Sequence, residues 1–268
     1  MRWIKPLAIG ALCLTLTACA TSPTGRQQLT LVSDAQLNQM GAQAFEQYQQ
    51  DLPTVGGATH RYVQCVADAI VGALPPEQQR AQDWQIRVFE SDQANAFALP
   101  GGYMGVNTGL LRIAETQDQL ATVIGHEVGH VLARHANERV STQTATQLGL
   151  SVLSSVSGMQ GPAGEQMMGA LGLGAQYGVL LPFSRRHESE ADIIGLRLMA
   201  EAGFDPRESV TLWQNMEAAG GGARPPAWMS THPSQGQRMA GLQANMDDAL
   251  ARYERARQAG RTPNCPRP

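Results

Sequence analysis

His126-Glu127-Val128-Gly129-His130 places two imidazoles and one carboxylate inside a helical pattern. Between Gln117 and His135, Leu120, Val123, Ile124, Val128, Val131 and Leu132 recur at helical spacing, and Thr116 with Gln119 forms a capping-box signature at the start. Residues four apart lie one turn above each other, so His126 and His130 can each offer a ring nitrogen to one Zn²⁺. Glu127 stands beside them, displaced from the natural ligand position but able to take a proton from a metal-bound water.

Two histidines need a third ligand. The metzincin pattern would require Gly at 133 and His at 136, and this chain has Ala133 and Ala136, which excludes that class. Downstream, Arg185-Arg186-His187-Glu188-Ser189-Glu190-Ala191-Asp192 opens a second amphipathic helix continued by Leu196, Leu198 and Met199. Glu188 and Asp192 share one face of it. That supplies a ligand carboxylate and, one turn on, a carboxylate able to hold a zinc-binding imidazole by its far N–H. Glu190 lies off that face, so Glu190→Ala is expected to keep both metal and activity.

Taken together, HEVGH, SRRHESEAD and Ala202-Gly203-Phe204-Asp205-Pro206 resemble the zinc metalloprotease family of HtpX and the CAAX prenyl proteases. Asn95-Ala96-Phe97-Ala98-Leu99-Pro100-Gly101-Gly102-Tyr103 resembles the segment before that family's metal helix, and Thr231-His232-Pro233-Ser234 with Arg238 its late His-Pro element. The likeness leans to the bacterial lipoprotein branch of LoiP and the β-barrel assembly-enhancing protease, without a following helical-repeat region. It implies one Zn²⁺ per chain and a mainly helical α+β fold of the gluzincin kind, with a small sheet beside the metal helix. It also implies a role for His232 at the cleft, either as an oxyanion donor or as a fourth ligand that holds the resting enzyme off. Arg238 is expected to serve as a fixed cation for the oxyanion or to pair with a surface carboxylate.

The chain begins with Arg2 and Lys5, an apolar stretch from Leu7 to Leu16, and Leu16-Thr17-Ala18-Cys19, which looks like a bacterial lipobox. An apolar run of about ten residues is shorter than the roughly 20 that a span requires. The expected organisation is a signal peptide over 1–18, a lipidated Cys19 with a tether over 19–32, and a catalytic domain over 33–268. Ala20 leans the anchor towards the outer membrane. Cys65 and Cys265 remain as a pair, expected to form a disulfide in an oxidising compartment.

The formal net charge of −3 in 268 residues speaks against nucleic-acid binding. Helices are expected from Ser33 or Asp34 to Tyr48, from Val63 to Leu74, after Asp205-Pro206, and from about Ser234 to Tyr253. Trp84, Ile86 and Val88 mark a strand, and Asn95 to Asn107 a fold-back. Its outer strand, Asn95-Ala96-Phe97-Ala98, reads equally as the edge to which zinc proteases of this general build add an extended peptide as a further strand and as part of a purely structural hairpin. Between Val140 and Ser184 Glu165 is the lone charge, yet polar residues break every apolar run, so no span is expected there. A packed helical hairpin is preferred over a flap.

These readings converge on a lipid-anchored, periplasm-facing zinc metalloendopeptidase acting on unfolded or misassembled envelope proteins. The alternative is a lipoprotein chaperone or a factor of the outer-membrane assembly machinery whose protease site is suppressed.

Overall fold

The computed structural model describes residues 19–157, 181–220, 226–232 and 235–268. The expected signal peptide and most of the low-charge region beyond 157 lie outside the described residues.

The chain enters through an antiparallel hairpin, β1 (Cys19–Thr21) and β2 (Gln27–Leu29), where a free tether was expected. Its polar side chains are the reason for the order: they satisfy two buried carboxylates of the helical body, described below. Helix α1 (Asp34–Asp51) starts at Ser33, whose hydroxyl and Gln36 form a complete capping box. Helix α2 (Gly57–Gly72) buries Tyr62, Val63, Val66 and Ile70, and Pro75 and Pro76 turn the chain into the short α3 (Pro76–Arg80).

Three strands follow, β3 (Gln85–Phe89), β4 (Ala96–Leu99) and β5 (Tyr103–Asn107), in the order β3-β5-β4. β3 runs parallel to β5 and β4 antiparallel to it, with Ala96 opposite Val106 and Ala98 opposite Met104. Gly101 and Gly102 both adopt positive φ to make the hairpin turn. β4 is therefore an edge. The Asn107 amide donates to the Asn95 carbonyl, and by the antiparallel alternation the peptide groups of Ala96 and Ala98 face outward.

After α4 (Thr108–Leu111), helix α5 (Gln117–Leu132) carries the HEVGH motif; Thr116 caps it by accepting from the Gln119 amide. The helix ends at Leu132, three residues before the expected His135. Arg134 takes φ 53°, a left-handed conformation unusual for a non-glycine, and His135 opens the next helix, α6 (His135–Ser157). α7 (Leu181–Ala202) then packs along α5 at backbone contact distance: a Cβ at Gly125 would lie 2.9 Å from the Gly195 carbonyl oxygen, and one at Gly129 2.9 Å from that of Ala191.

Helix α8 (Glu208–Ala219) starts after Pro206 as expected, α9 (Ala227–Thr231) leads to His232, and the final helix is two, α10 (Gln235–Ala244) and α11 (Met246–Gln258), broken at Asn245. Val66, Ile70, Ile86, Val106, Leu120, Ile124, Met199 and Trp213 belong to one continuous core between the sheet and these helices. Cys65 and Cys265 are joined by a disulfide, and the Cys265 amide donates to the Gln117 side chain, fastening the tail to the start of α5. No helix among the described residues is long and apolar enough to cross a membrane.

Candidate metal centre

α5 and α7 bring His126, His130 and Glu188 together because Gly125, Gly129 and Gly195 let the two backbones touch where the helices cross. The Nε2 atoms of His126 and His130 lie 3.0 Å apart. Glu188 Oε2 is 3.3 Å from His126 Nε2, and Glu188 Oε1 is 3.6 Å from His130 Nε2. The fourth member is His232, whose Nδ1 lies 3.2 Å from His126 Nε2 and 2.8 Å from Glu188 Oε2. All four donor atoms fall within 4.8 Å of one another. Donors bound tetrahedrally at about 2.0–2.1 Å would be about 3.3 Å apart, a value that the 2.8–3.6 Å separations above bracket.

The donor set fits zinc on a second ground. Glu188 is buried and its Oε1 has no hydrogen-bond partner among the described residues, a cost of about 1–3 kcal/mol or more unless a cation satisfies it. Burial works against ionising Glu188, but the imidazoles of His126, His130 and His232 packed around it hold its carboxyl well below the usual carboxylate range.

Asp192 accepts from His126 Nδ1 at 2.9 Å, so that the neutral ring presents a bare Nε2 to the donor group. Burial and the Arg238 charge both lower the His126 pKa; hydrogen bonds to Asp192 and Glu188 outweigh them and push it up to about 9 in the metal-free protein. Burial pushes His130 well below its ordinary value despite Glu188, and lowers His135 despite Glu190.

Arg238 pairs with a buried carboxylate, where a surface one was the alternative expected of it. It is buried, donates through Nε and Nη2 to both oxygens of Asp192 at 2.6 and 2.5 Å, and donates through Nη1 to the His232 carbonyl at 3.2 Å. Its guanidinium lies over the Trp213 ring, 4.4 Å from the centroid. It thus braces Asp192 and the His232 carbonyl and also stands against the donor group itself, with Nη1 3.4 Å from Glu188 Oε2 and Nη2 3.0 Å from His126 Nδ1.

Glu127 is held at both oxygens. The Ala98 amide donates to Oε2 at 3.1 Å and the Trp228 indole N–H to Oε1 at 3.0 Å, while His232 Nε2 stands 3.4 Å from Oε1. The outer edge of β4 is thereby tied to the metal helix, and the Trp228 amide donates to the Ala94 carbonyl just before it. Of the four strand residues named from sequence, Ala98 reaches the site through its amide. Asn95 bonds inward to Asn107, Ala96 is buried on the edge, and the Phe97 ring stacks on Tyr48 at 4.3 Å. A cleft of about 350 Å³ opens here, lined by Phe97, Ala98, Glu127, His130, His135 and His232 among others.

Sequence reasoning missed Trp228, although a tryptophan four residues before His232 on a short helix was a readable signal. It also missed His135, Glu138, His187 and Arg26, whose polar cluster lies behind His130. Cys19 lies in β1.

Residues 58–246 match the family model described as Peptidase family M48. The metalloendopeptidase OMA1 of Homo sapiens, a mitochondrial protein, is 32% identical over 255 residues, covering 91% of this chain and 47% of that protein. OMA1 of Schizosaccharomyces pombe is 36% identical over 172 residues, covering 64% and 49%. The β-barrel assembly-enhancing protease of Escherichia coli is 32% identical over 161 residues, covering 57% and 32%. The chain spans about half, or less, of the length of these relatives. With a family match over most of its length and the histidine and glutamate donors converging as that family's zinc chemistry requires, the chain belongs to peptidase family M48, the zinc-dependent metalloproteases.

Proposed function

We propose that the protein is a zinc metalloendopeptidase that cleaves extended polypeptide at the edge of β4. The observation that carries this reading is the bond between the Ala98 amide and Glu127, which sets the Ala98 end of the β4 edge beside the general base, on the wall of the cleft. A substrate added as a strand there would use backbone hydrogen bonds that ignore side-chain identity, which suits unfolded clients.

His126, His130 and Glu188 would hold the metal. Zinc, when bound, lowers the pKa of water to about 7 and polarises a carbonyl. Glu127 acts as the general base: one carboxylate oxygen takes the proton of the attacking water and returns it to the leaving amine. Trp228 and Ala98 keep that carboxylate in a single orientation. Arg238 and Asp192 keep the His126 ring aimed.

His232 favours the suppressed resting form among the readings open at the outset. Its Nδ1 stands within the donor group, where a ligand belongs, rather than across the cleft where an oxyanion would sit. The same feature supports a second reading, a client-holding factor whose protease site is normally closed.

The lipobox-like Leu16-Thr17-Ala18-Cys19 supports anchorage by lipid in a bacterial envelope, facing the periplasm, with unfolded or misassembled envelope proteins as substrates. The test is zinc-dependent cleavage of an unfolded protein by the intact chain, lost in Glu127→Gln with zinc retained.

A further inference from the structure

Behind the metal centre lies a second buried polar cluster that the catalytic reading leaves unused. His135 Nδ1 is 2.8 Å from His130 Nδ1, on the side of the ring away from Glu188, and His135 Nε2 is 3.1 Å from Glu190 Oε2. Glu190 Oε1 accepts from the hydroxyls of Ser22 and Thr24. Its Oε2 also accepts from Arg26 Nε at 3.0 Å and Nη2 at 2.8 Å. The same guanidinium reaches Glu138 through Nη1 at 2.5 Å and Nη2 at 2.6 Å, and Glu138 accepts from His187 Nε2 at 3.0 Å. The His135 and His187 rings stack at 4.1 Å. Ser22, Thr24 and Arg26 all belong to the hairpin that follows Cys19.

The direction of each hydrogen bond follows from the groups. An ionised carboxylate only accepts, so Glu190 requires the proton of a neutral His135 on Nε2. His135 Nδ1 is then an acceptor, and His130 must carry its proton on Nδ1. That leaves His130 Nε2 with its lone pair towards His126 and Glu188, the tautomer a metal ligand needs. The arrangement is a carboxylate–histidine–histidine relay. Arg26 fixes the carboxylate at its far end and offsets the second one, Glu138.

We propose that Arg26 and Glu190, acting through His135, are positioning residues for His130, so that the hairpin after Cys19 is a working part of the metal centre rather than a tether. The inference rests on the assignment of His130 as a metal ligand. It reverses the expectation that Glu190→Ala is silent: lying off the Glu188 face is what lets Glu190 reach His135.

The experiment measures zinc affinity of the intact protein by chelator competition at fixed pH, with the visible spectrum of the Co²⁺-substituted protein as a second readout. His135→Phe keeps a ring against His187 and removes both nitrogens, whereas His135→Asn places an amide oxygen where Nδ1 was. His135→Phe and Arg26→Met should bind zinc about 10–100-fold more weakly and shift the Co²⁺ bands, and His135→Asn should stay within about threefold of wild type. Thermal unfolding of each metal-free variant identifies those that remain folded. Wild-type zinc affinity in folded His135→Phe or Arg26→Met overturns the proposal, and so does folded His135→Asn binding as weakly as His135→Phe. Retention of zinc by His130→Ala would instead overturn the ligand assignment beneath it.

Discussion

A Cβ atom on Gly195 would stand 2.6 Å from the backbone nitrogen of His126, so the helix carrying Glu188 touches the helix carrying the two histidines with no side chain between them. This closeness sets the span of the donor group. Gly195→Ala forces the helices apart by a few tenths of an ångström or more, and Gly195→Val by more still. The expected outcome is zinc affinity reduced at least tenfold for Gly195→Val, with a smaller loss for Gly195→Ala, measured by chelator competition. Equal affinity in all three proteins would mean that the crossing does not position Glu188.

Zinc uptake should strengthen as pH rises. In the metal-free protein His126, with its pKa pushed up to about 9, carries a proton at neutral pH, and that proton must leave before Nε2 can bind metal. Apparent affinity is therefore expected to rise by up to about tenfold per pH unit between pH 7 and 9 and to level off above. The metal-free fold has the opposite trend from this group. A raised folded pKa contributes stability that is complete below the unfolded value of about 6.5 and is lost as pH climbs through 9. Titrations with and without zinc check both signs.

His232→Ala should raise peptide turnover at matched zinc occupancy, because the variant frees a coordination position that the imidazole blocks. A fall of about 10²–10³-fold would instead assign His232 to oxyanion stabilisation. No change would remove it from the site.

The Cys65–Cys265 disulfide closes a separation of 200 residues, and the tail it holds bonds to Gln117 at the start of the metal helix. Cys65→Ser with Cys265→Ser should lower stability by up to about 5 kcal/mol. Denaturant unfolding of the zinc-loaded pair of proteins reads the difference; indistinguishable midpoints would show that the bridge adds nothing to the tail's own contacts.

The helical periods and caps made α1, α2, α5 and α7 legible, since Ser33 and Thr116 cap where their side chains predict. Glu188 and Asp192 were legible because four residues on one helix face is local geometry. The hairpin at 19–29 was not, because its composition is that of a linker and its order comes from Glu138 and Glu190, more than 100 residues away. The helix break at Ala133 was hidden too. Arg134 adopts a conformation that residue preference disfavours, held by Gln28 on the Ala133 carbonyl and by its own pair with Asp34. Arg238 was recognised as important, but its burial against Trp213 was not visible from a helix pattern that shows no reason for a charged residue inside.

The most direct measurement is hydrolysis of an unfolded protein by the zinc-loaded chain, compared with Glu127→Gln at equal zinc content. Glu127→Gln removes the base yet keeps a side chain that Ala98 and Trp228 can hold, so the metal should stay and turnover should fall by about 10²–10⁴-fold. Cleavage at the wild-type rate by Glu127→Gln, or unchanged cleavage after zinc removal, would contradict the account.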